Sequence, residues 1–106
     1  MLYEYRAYTA LPGKMGSLTE VMKVAFPIFK RIGMKVLGPW KPIVGDNNNS
    51  IVYMLAFEDA ADRDKKWEAF QSDPEWKEKR AKVSSEPLTA SQFNSFLKPT
   101  SYSPAK

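Results

Sequence analysis

The alternation of side chains at the start of the chain predicts a β-strand. Along residues 2–9, successive side chains of a strand point to opposite faces, so Glu4, Arg6 and Tyr8 share one face. That face presents a carboxylate, a guanidinium and a phenol in one row. Because an unpaired buried charge is costly, burial of this face would require the charges to pair with each other or with a ligand.

Hydrophobic periodicity divides the rest of the chain into helices and strands. Pro27 falls inside the first helical pattern and predicts a kink or a new start near Phe26, because proline removes one backbone donor. Gly38 and Pro39 interrupt the second strand pattern, since proline cannot donate to a strand ladder. The predicted elements are, in chain order, strand 2–9, a helix from residue 15 to near Gly33, strand 34–44, turn 45–50, strand 51–57, a helix from residue 60 capped by Asp59, a helix from residue 74 capped by Asp73, and strand 88–97.

The order of these elements predicts the fold. The order β, α, β, β, α, β is typical of a ferredoxin-like, split βαβ α+β fold, in which a four-stranded antiparallel sheet carries the helices on one face. Strand 51–57 is apolar on both faces, so the uncovered side of the sheet would expose a large apolar patch. We therefore expect a homodimer that forms through the sheet faces. Residues 1–98 are the predicted single domain, and residues 99–106 are a Pro- and Ser-rich tail.

The composition excludes several classes of enzyme. The 106 residues contain no cysteine and no histidine, which excludes disulfides, thiol nucleophiles, the usual zinc sites and histidine-ligated haem. We expect neither a cofactor nor a metal site. No apolar run approaches the roughly 18 residues that span a bilayer, and a strand that begins at Leu2 leaves no room for a targeting peptide. The expectation is a cytoplasmic protein without stable membrane insertion.

The formal net charge of +4 is unevenly distributed. Residues 21–45 contain no acidic residue but several lysines and an arginine. This stretch is compatible with an anionic ligand or a membrane surface contacted through Lys23, Lys30 and Arg31, but such lysines on an exposed helix are more often only a solvated surface. Nucleic-acid binding is not expected, because the basic residues are neither dense nor interleaved with an aromatic platform.

A series of short segments runs along nearly the whole chain. The segments are Tyr3-Glu4-Tyr5-Arg6-Ala7-Tyr8-Thr9 with Pro12-Gly13-Lys14, then Gly38-Pro39-Trp40, Ala61-Asp62-Arg63, Asp73-Pro74-Glu75-Trp76, and Lys98-Pro99-Thr100 with Ser103-Pro104. In this order and spacing they resemble the NIPSNAP family. The resemblance implies a dimeric α+β barrel, in which two ferredoxin-like subunits join their sheets and each keeps a cavity between sheet and helices. A single domain without a targeting extension looks like a bacterial member.

The resemblance also implies candidate site residues. The family's first-strand pattern falls on Glu4, Arg6 and Tyr8, its second-strand aromatic residue on Trp40, and its helix arginine on Arg63.

The third strand departs from the family pattern. Tyr53 and Leu55 stand where the pattern has a histidine and, two residues later, a tryptophan. Any mechanism in which that imidazole moves a proton or binds iron is therefore in doubt for this chain.

The candidate residues have both functional and structural interpretations. Glu4 and Arg6 are either a ligand clamp or an ion pair within the protein, with Arg63 as another partner. Tyr8 and Tyr53 are either hydrogen-bond donors to a reacting carbonyl or packed rings with a bonded hydroxyl.

Two functions from different classes remain open, and catalytic residues stay unassigned. The first is a module that binds a small acidic or aromatic ligand in the cavity, with Trp40 as one candidate wall. The second is a cofactor-independent monooxygenase or isomerase that acts on an enolisable aromatic substrate, as members of the wider superfamily do. The lack of histidine and cysteine favours the first, because few side chains remain with a pKa near neutrality.

Overall fold

The computed structural model describes residues 1–45 and 47–105 of the chain. The helices and strands are β1 (Leu2–Ala10), α1 (Met15–Ile32), β2 (Lys35–Trp40), β3 (Ser50–Phe57), α2 (Ala60–Gln71), α3 (Pro74–Val83) and β4 (Thr89–Leu97). The predicted turn includes Asp46 and the predicted tail includes Lys106, and these two residues lie outside the described part of the chain.

The four strands form one antiparallel sheet in the order β2-β3-β1-β4. With this topology the ferredoxin-like α+β prediction is confirmed. β1 is paired on both sides, so Arg6 lies directly opposite Tyr53 of β3 and Asn94 of β4. Residues opposite each other share a face of an antiparallel sheet, and the three side chains therefore meet on one side.

Local capping signals fix the helix ends where the sequence predicts them. Gly33 ends α1 in the left-handed conformation, with φ of 102°, and its N–H donates to the carbonyls of Phe29 and Lys30 at 3.1 Å. Asp59 caps α2 by accepting from the backbone N–H of Asp62 at 2.8 Å. Asp73 caps α3 in the same way.

The sheet has two unlike faces. The inner face is covered by the helices, and α1 packs Phe29 and five other buried residues against Tyr53, Leu55 and Phe57 of β3. The outer face is not covered by a helix, and Phe93 and Leu97 are 60% and 44% exposed there. The apolar side chains of this outer face are Tyr3, Tyr5, Leu37, Val52, Met54, Phe93 and Leu97.

The structure departs from the predicted elements in two places. α1 continues unbroken through Pro27, whose cost of about 3 kcal/mol is outweighed by the burial of residues such as Phe29, about 1.5–3 kcal/mol each. β2 ends at Trp40 instead of residue 44, because its register against β3 shifts between Leu37 and Trp40, around Gly38 and Pro39. Within the described residues, no helix is both long and apolar enough to cross a bilayer.

Candidate functional site

The Glu4 carboxylate is the centre of a buried ionic cluster on the inner face. It is fully buried and accepts hydrogen bonds from Arg6 Nη1 at 2.6 Å, Arg63 Nε at 3.0 Å, Arg63 Nη2 at 3.1 Å and Asn94 Nδ2 at 3.0 Å. Three of these donors contact Oε2 and one contacts Oε1, so both carboxylate oxygens are bonded. Glu4 is therefore an anchor for two arginines, as the ion-pair interpretation predicts.

The same contacts determine the charge state of Glu4. Burial raises the pKa of its carboxyl group, but the hydrogen bonds from Arg63 and Asn94 and the charges of Arg6 and Arg63 outweigh burial, and the pKa lies below its ordinary value. Glu4 is thus ionised at neutral pH. Because it is fully buried, paired with two arginines and does not line the cavity, it is poorly placed to remove a proton from a ligand.

Arg6 is held on three sides and open on a fourth. Its Nη1 donates to Glu4, its Nε donates to the Tyr8 hydroxyl at 2.9 Å, and its guanidinium carbon lies 4.3 Å from the ring centroid of Trp67. Among residues 1–45 and 47–105, no acceptor lies within hydrogen-bond distance of Nη2. Every fully buried side-chain nitrogen or oxygen in that part of the chain has a partner, so Nη2 is not fully buried, and the Arg6 side chain lines a cavity.

The hydroxyls of Tyr8 and Tyr53 form a pair beside Arg6. Their oxygens are 2.8 Å apart, and their rings meet edge to face with centroids 5.7 Å apart. Burial is the main cause that raises the pKa of Tyr53 well above its ordinary range, and the neighbouring Tyr8 raises it further. Tyr53 is accordingly a neutral hydrogen-bond donor at physiological pH.

A cavity of about 200 Å³ lies between the inner face and the helices. The Arg6, Tyr8 and Tyr53 side chains form its polar base. Exposed Gln71 and Gln92 lie at its rim. The remaining lining residues are aromatic or aliphatic, apart from Arg80: Phe29, Trp67, Phe70, Trp76, Leu18, Val21, Met22, Ala25, Leu88 and Arg80.

Five of the six predicted site residues meet in this region, and Trp40 does not. Glu4 and Arg63 lie behind the cavity base and hold Arg6 in place. Trp40 is 55% exposed in a separate groove against α1, where its ring covers Gly38. In the described part of the chain, no group of three or more carboxylates could hold a metal ion.

Sequence reasoning missed two residues of the site, Asn94 and Gln92, which lie opposite Arg6 and Tyr8 in β4. The stacking of Trp67 on Arg6 depends on the packing of α2. The alternation within β4 places Gln92 and Asn94 on one face, and that was the available signal.

The family follows from the match along the chain. Residues 3–104 match the family model described as NIPSNAP. The chain belongs to the NIPSNAP family. In this NIPSNAP chain, Glu4, Arg6 and Tyr8 lie along β1, and Arg6 and Tyr8 line the cavity.

Solved structures of NIPSNAP proteins have the same fold. An uncharacterized NIPSNAP domain protein from Burkholderia xenovorans is 27% identical, with 98% of this chain and 99% of that chain covered and a TM-score of 0.81. A NIPSNAP family protein of unknown function from Agrobacterium tumefaciens is also 27% identical, with 98% and 92% covered and a TM-score of 0.82. No curated protein is significantly similar to this NIPSNAP chain.

A more distant likeness concerns the fold alone. A proposed antibiotic biosynthesis monooxygenase from Nitrosomonas europaea is 14% identical, with 92% of this chain and 97% of that chain covered and a TM-score of 0.60.

Proposed function

We propose that this NIPSNAP protein binds a small carboxylate with a single aromatic ring in the cavity beside Arg6. The observation that carries the proposal is that Arg6 lines an aromatic-walled cavity while Glu4 and Tyr8 hold Nη1 and Nε, and that Nη2 has no acceptor among the described residues. A guanidinium fixed in this way is preorganised for an anion, because little side-chain entropy is lost when the ligand binds.

The charge balance of the cluster supports an anionic ligand. Glu4 carries one negative charge, whereas Arg6 and Arg63 carry one positive charge each, and their side chains are only 9% and 17% exposed. Asp64 also contacts Arg63, at 3.2 Å, but its side chain is 75% exposed and therefore well screened. The buried cluster keeps an excess positive charge that a ligand carboxylate would neutralise.

The size and the walls of the cavity support a single ring. A cavity of about 150 Å³ accommodates benzene, and pockets for drug-sized ligands start at about 300 Å³, so 200 Å³ is close to the one-ring limit. Phe29, Trp67 and Phe70 line it with ring faces and edges suited to aromatic contact.

Calorimetry with two matched probes tests the proposal. Benzoate should bind and benzamide, which has nearly the same shape without the charge, should bind at least tenfold more weakly. Arg6→Gln should abolish benzoate binding, because it removes the guanidinium and leaves Glu4 paired with Arg63.

A matched arginine variant is the control. Arg31 lies near the C-terminal end of α1, is exposed, and pairs with Asp73 and Glu75 at the start of α3. It does not line the cavity, so Arg31→Gln makes the same change of charge outside the site. It should bind benzoate like the wild type. Equal affinity for benzoate and benzamide, or unchanged binding by Arg6→Gln, would rule out the clamp.

The second candidate function is a cofactor-independent monooxygenase or isomerase on an enolisable aromatic substrate. The paired hydroxyls of Tyr8 and Tyr53, next to Arg6, favour it, since these donors would stabilise an enolate oxygen. The distant fold likeness to the proposed monooxygenase agrees with this chemistry. The buried, ion-paired Glu4, whose pKa is lowered, and the raised pKa of Tyr53 leave no evident base, so ligand binding remains the first proposal.

Deuterium exchange separates the two candidates. If the site stabilises an enolate, the ring protons of 1,3-dihydroxybenzene in D₂O should exchange faster with the protein, and Tyr8→Phe should remove most of the acceleration. Exchange at the buffer rate, combined with benzoate binding, would leave only the binding function.

The homodimer is the remaining part of the proposal. The outer face exposes Phe93 and Leu97 next to half-buried Tyr3 and Met54, and pairing of two such faces would remove this apolar surface from water.

A further inference from the structure

A second surface of the protein combines exposed apolar side chains with lysines. Ile43 and Val44 follow β2 and are 89% and 90% exposed, and Trp40 at the end of β2 is 55% exposed. Single exposed apolar residues are common, but two adjacent β-branched side chains fully in water beside a tryptophan form a patch that calls for a partner. We name Trp40, Lys41, Ile43, Val44 and Lys23 the β2-end patch.

The charge around the β2-end patch is positive. Lys23 and Lys41 line the groove that contains Trp40, and Lys30 and Lys35 line the adjoining groove. The two grooves share Phe26 and Pro39, so the four lysines border one continuous surface.

The acidic residues nearest in sequence to this surface are few. Residues 21–45 contain none. Glu20 pairs with Lys23 at 3.3 Å, but both side chains are exposed and the pair is weak. Asp46 follows Gly45 in the sequence and lies outside the described residues.

The structure changes which basic residues are available to contact a partner at this surface. Arg31 donates to Asp73 at 2.7 Å and to Glu75 at 3.2 Å, so its charge is used between α1 and α3. Lys41 precedes Ile43 by two residues and lines the groove with Lys23, so the basic residues of this surface include Lys23, Lys30 and Lys41 but not Arg31.

We propose that the β2-end patch docks the protein onto anionic lipid bilayers. Ile43 and Val44 enter the interface, the amphipathic ring of Trp40 lies at the level of the headgroups, and the lysines contact lipid phosphates. Charge complementarity favours an anionic bilayer as the partner. Ile43 and Val44 offer only a small apolar area, so the lysines must supply much of the attraction. None of the patch residues lines the Arg6 cavity, and Trp40 lies in the groove against α1, so the proposal does not rest on the proposed function.

Vesicle co-sedimentation of the full chain tests the proposal. Vesicles of equal parts phosphatidylglycerol and phosphatidylcholine should bind the protein at low salt, and pure phosphatidylcholine vesicles should not. Binding should disappear toward 1 M salt, where the Debye length falls to about 3 Å.

Paired variants locate the contact. Ile43→Ser with Val44→Ser should lower the vesicle partition coefficient at least tenfold without changing the melting temperature, because both side chains are exposed. Tyr102→Ser, at a position 87% exposed, is the control and should bind like the wild type. Failure of the serine pair to weaken binding would overturn the insertion of Ile43 and Val44.

A second pair tests the role of charge at the patch. A lysine near an anionic surface contributes about 1 kcal/mol, a factor of about five, so Lys23→Gln with Lys41→Gln should weaken binding about 25-fold. Lys65→Gln with Lys77→Gln lowers the net charge by the same amount, but on α2 and α3. This control pair should weaken vesicle binding much less.

Three outcomes would overturn the proposal. One is the absence of binding to anionic vesicles at low salt. Another is an equal loss of binding for the two lysine pairs, which would mean that binding depends on the net charge of the protein and not on a defined surface. The third is a serine pair that shifts the sedimentation coefficient without lipid and binds vesicles unchanged, which would show that the patch contacts another copy of the chain.

Discussion

Replacement of Glu4 by glutamine should destabilise the fold severely. The substitution keeps the shape of the side chain but removes the negative charge that holds Arg6 and Arg63 at 2.6–3.1 Å. Removing one partner of a buried ion pair costs about 3–5 kcal/mol, because the remaining charge is left uncompensated. A domain of this size is stable by about 5–15 kcal/mol, so Glu4→Gln should remove about a fifth or more of the total.

Urea unfolding followed by tryptophan fluorescence measures this loss of free energy at a fixed protein concentration. In a separate thermal scan the melting temperature should fall by about 12 °C or more, since 1 kcal/mol corresponds to about 4–8 °C for a small domain. The Asn94→Ala variant is a milder test, because it should still fold. Loss of one hydrogen bond to a charged group should lower its free energy of unfolding by about 1.5 kcal/mol.

Glu78→Gln is the matched control. Glu78 pairs with Lys82 on α3, both side chains are exposed, and the expected cost is below about 0.5 kcal/mol. If Glu4→Gln cost no more than Glu78→Gln, the buried cluster would not hold the sheet and α2 together, and the reasoning would be refuted.

Three further predictions concern pH, backbone and assembly. The folded-state pKa of Glu4 lies below its ordinary value of 4.5, so its contribution to stability is complete above pH 4.5 and is lost as the pH falls through the lower, folded-state value. Urea unfolding over a pH series should show a smaller loss in Glu4→Gln than in the wild type, because the carboxyl groups of Asp62, Asp73 and Glu75, whose pKa values are also lowered, act in both proteins. Gly38→Ala should cost about 1–3 kcal/mol, because φ is +95° and a Cβ would lie 2.8 Å from the Trp40 ring, whereas Gly16→Ala, with open space around it, should not destabilise the protein. Analytical ultracentrifugation should report a dimer at micromolar concentration and a folded monomer for Met54→Lys on the outer face; a well-folded wild-type monomer would contradict the sheet-to-sheet dimer.

Short-range patterns accounted for most of the fold. The alternation in β1 placed Glu4, Arg6 and Tyr8 on the covered face, and the Asp59 and Asp73 caps placed the starts of α2 and α3. These features depend on residues a few positions apart, so a single sequence contains them.

The features that the sequence did not predict depend on long-range packing. Asn94 reaches Glu4 only because β4 pairs with β1 in one particular register, across 90 positions of the chain. Trp40 is apart from the cavity because the register of β2 shifts around Gly38 and Pro39. The volume of the cavity is set by how α1, α2 and α3 pack on the sheet, which no local pattern reports.

A crystal structure with 4-bromobenzoate tests the central claim most directly. The bromine gives an anomalous signal that locates the ring, and the account predicts this signal inside the cavity among Phe29, Trp67 and Phe70. The carboxylate should lie about 3 Å from Arg6 Nη2. A carboxylate bound away from Arg6, or an empty cavity at saturating compound with bromine only in the groove beside Trp40, would contradict it.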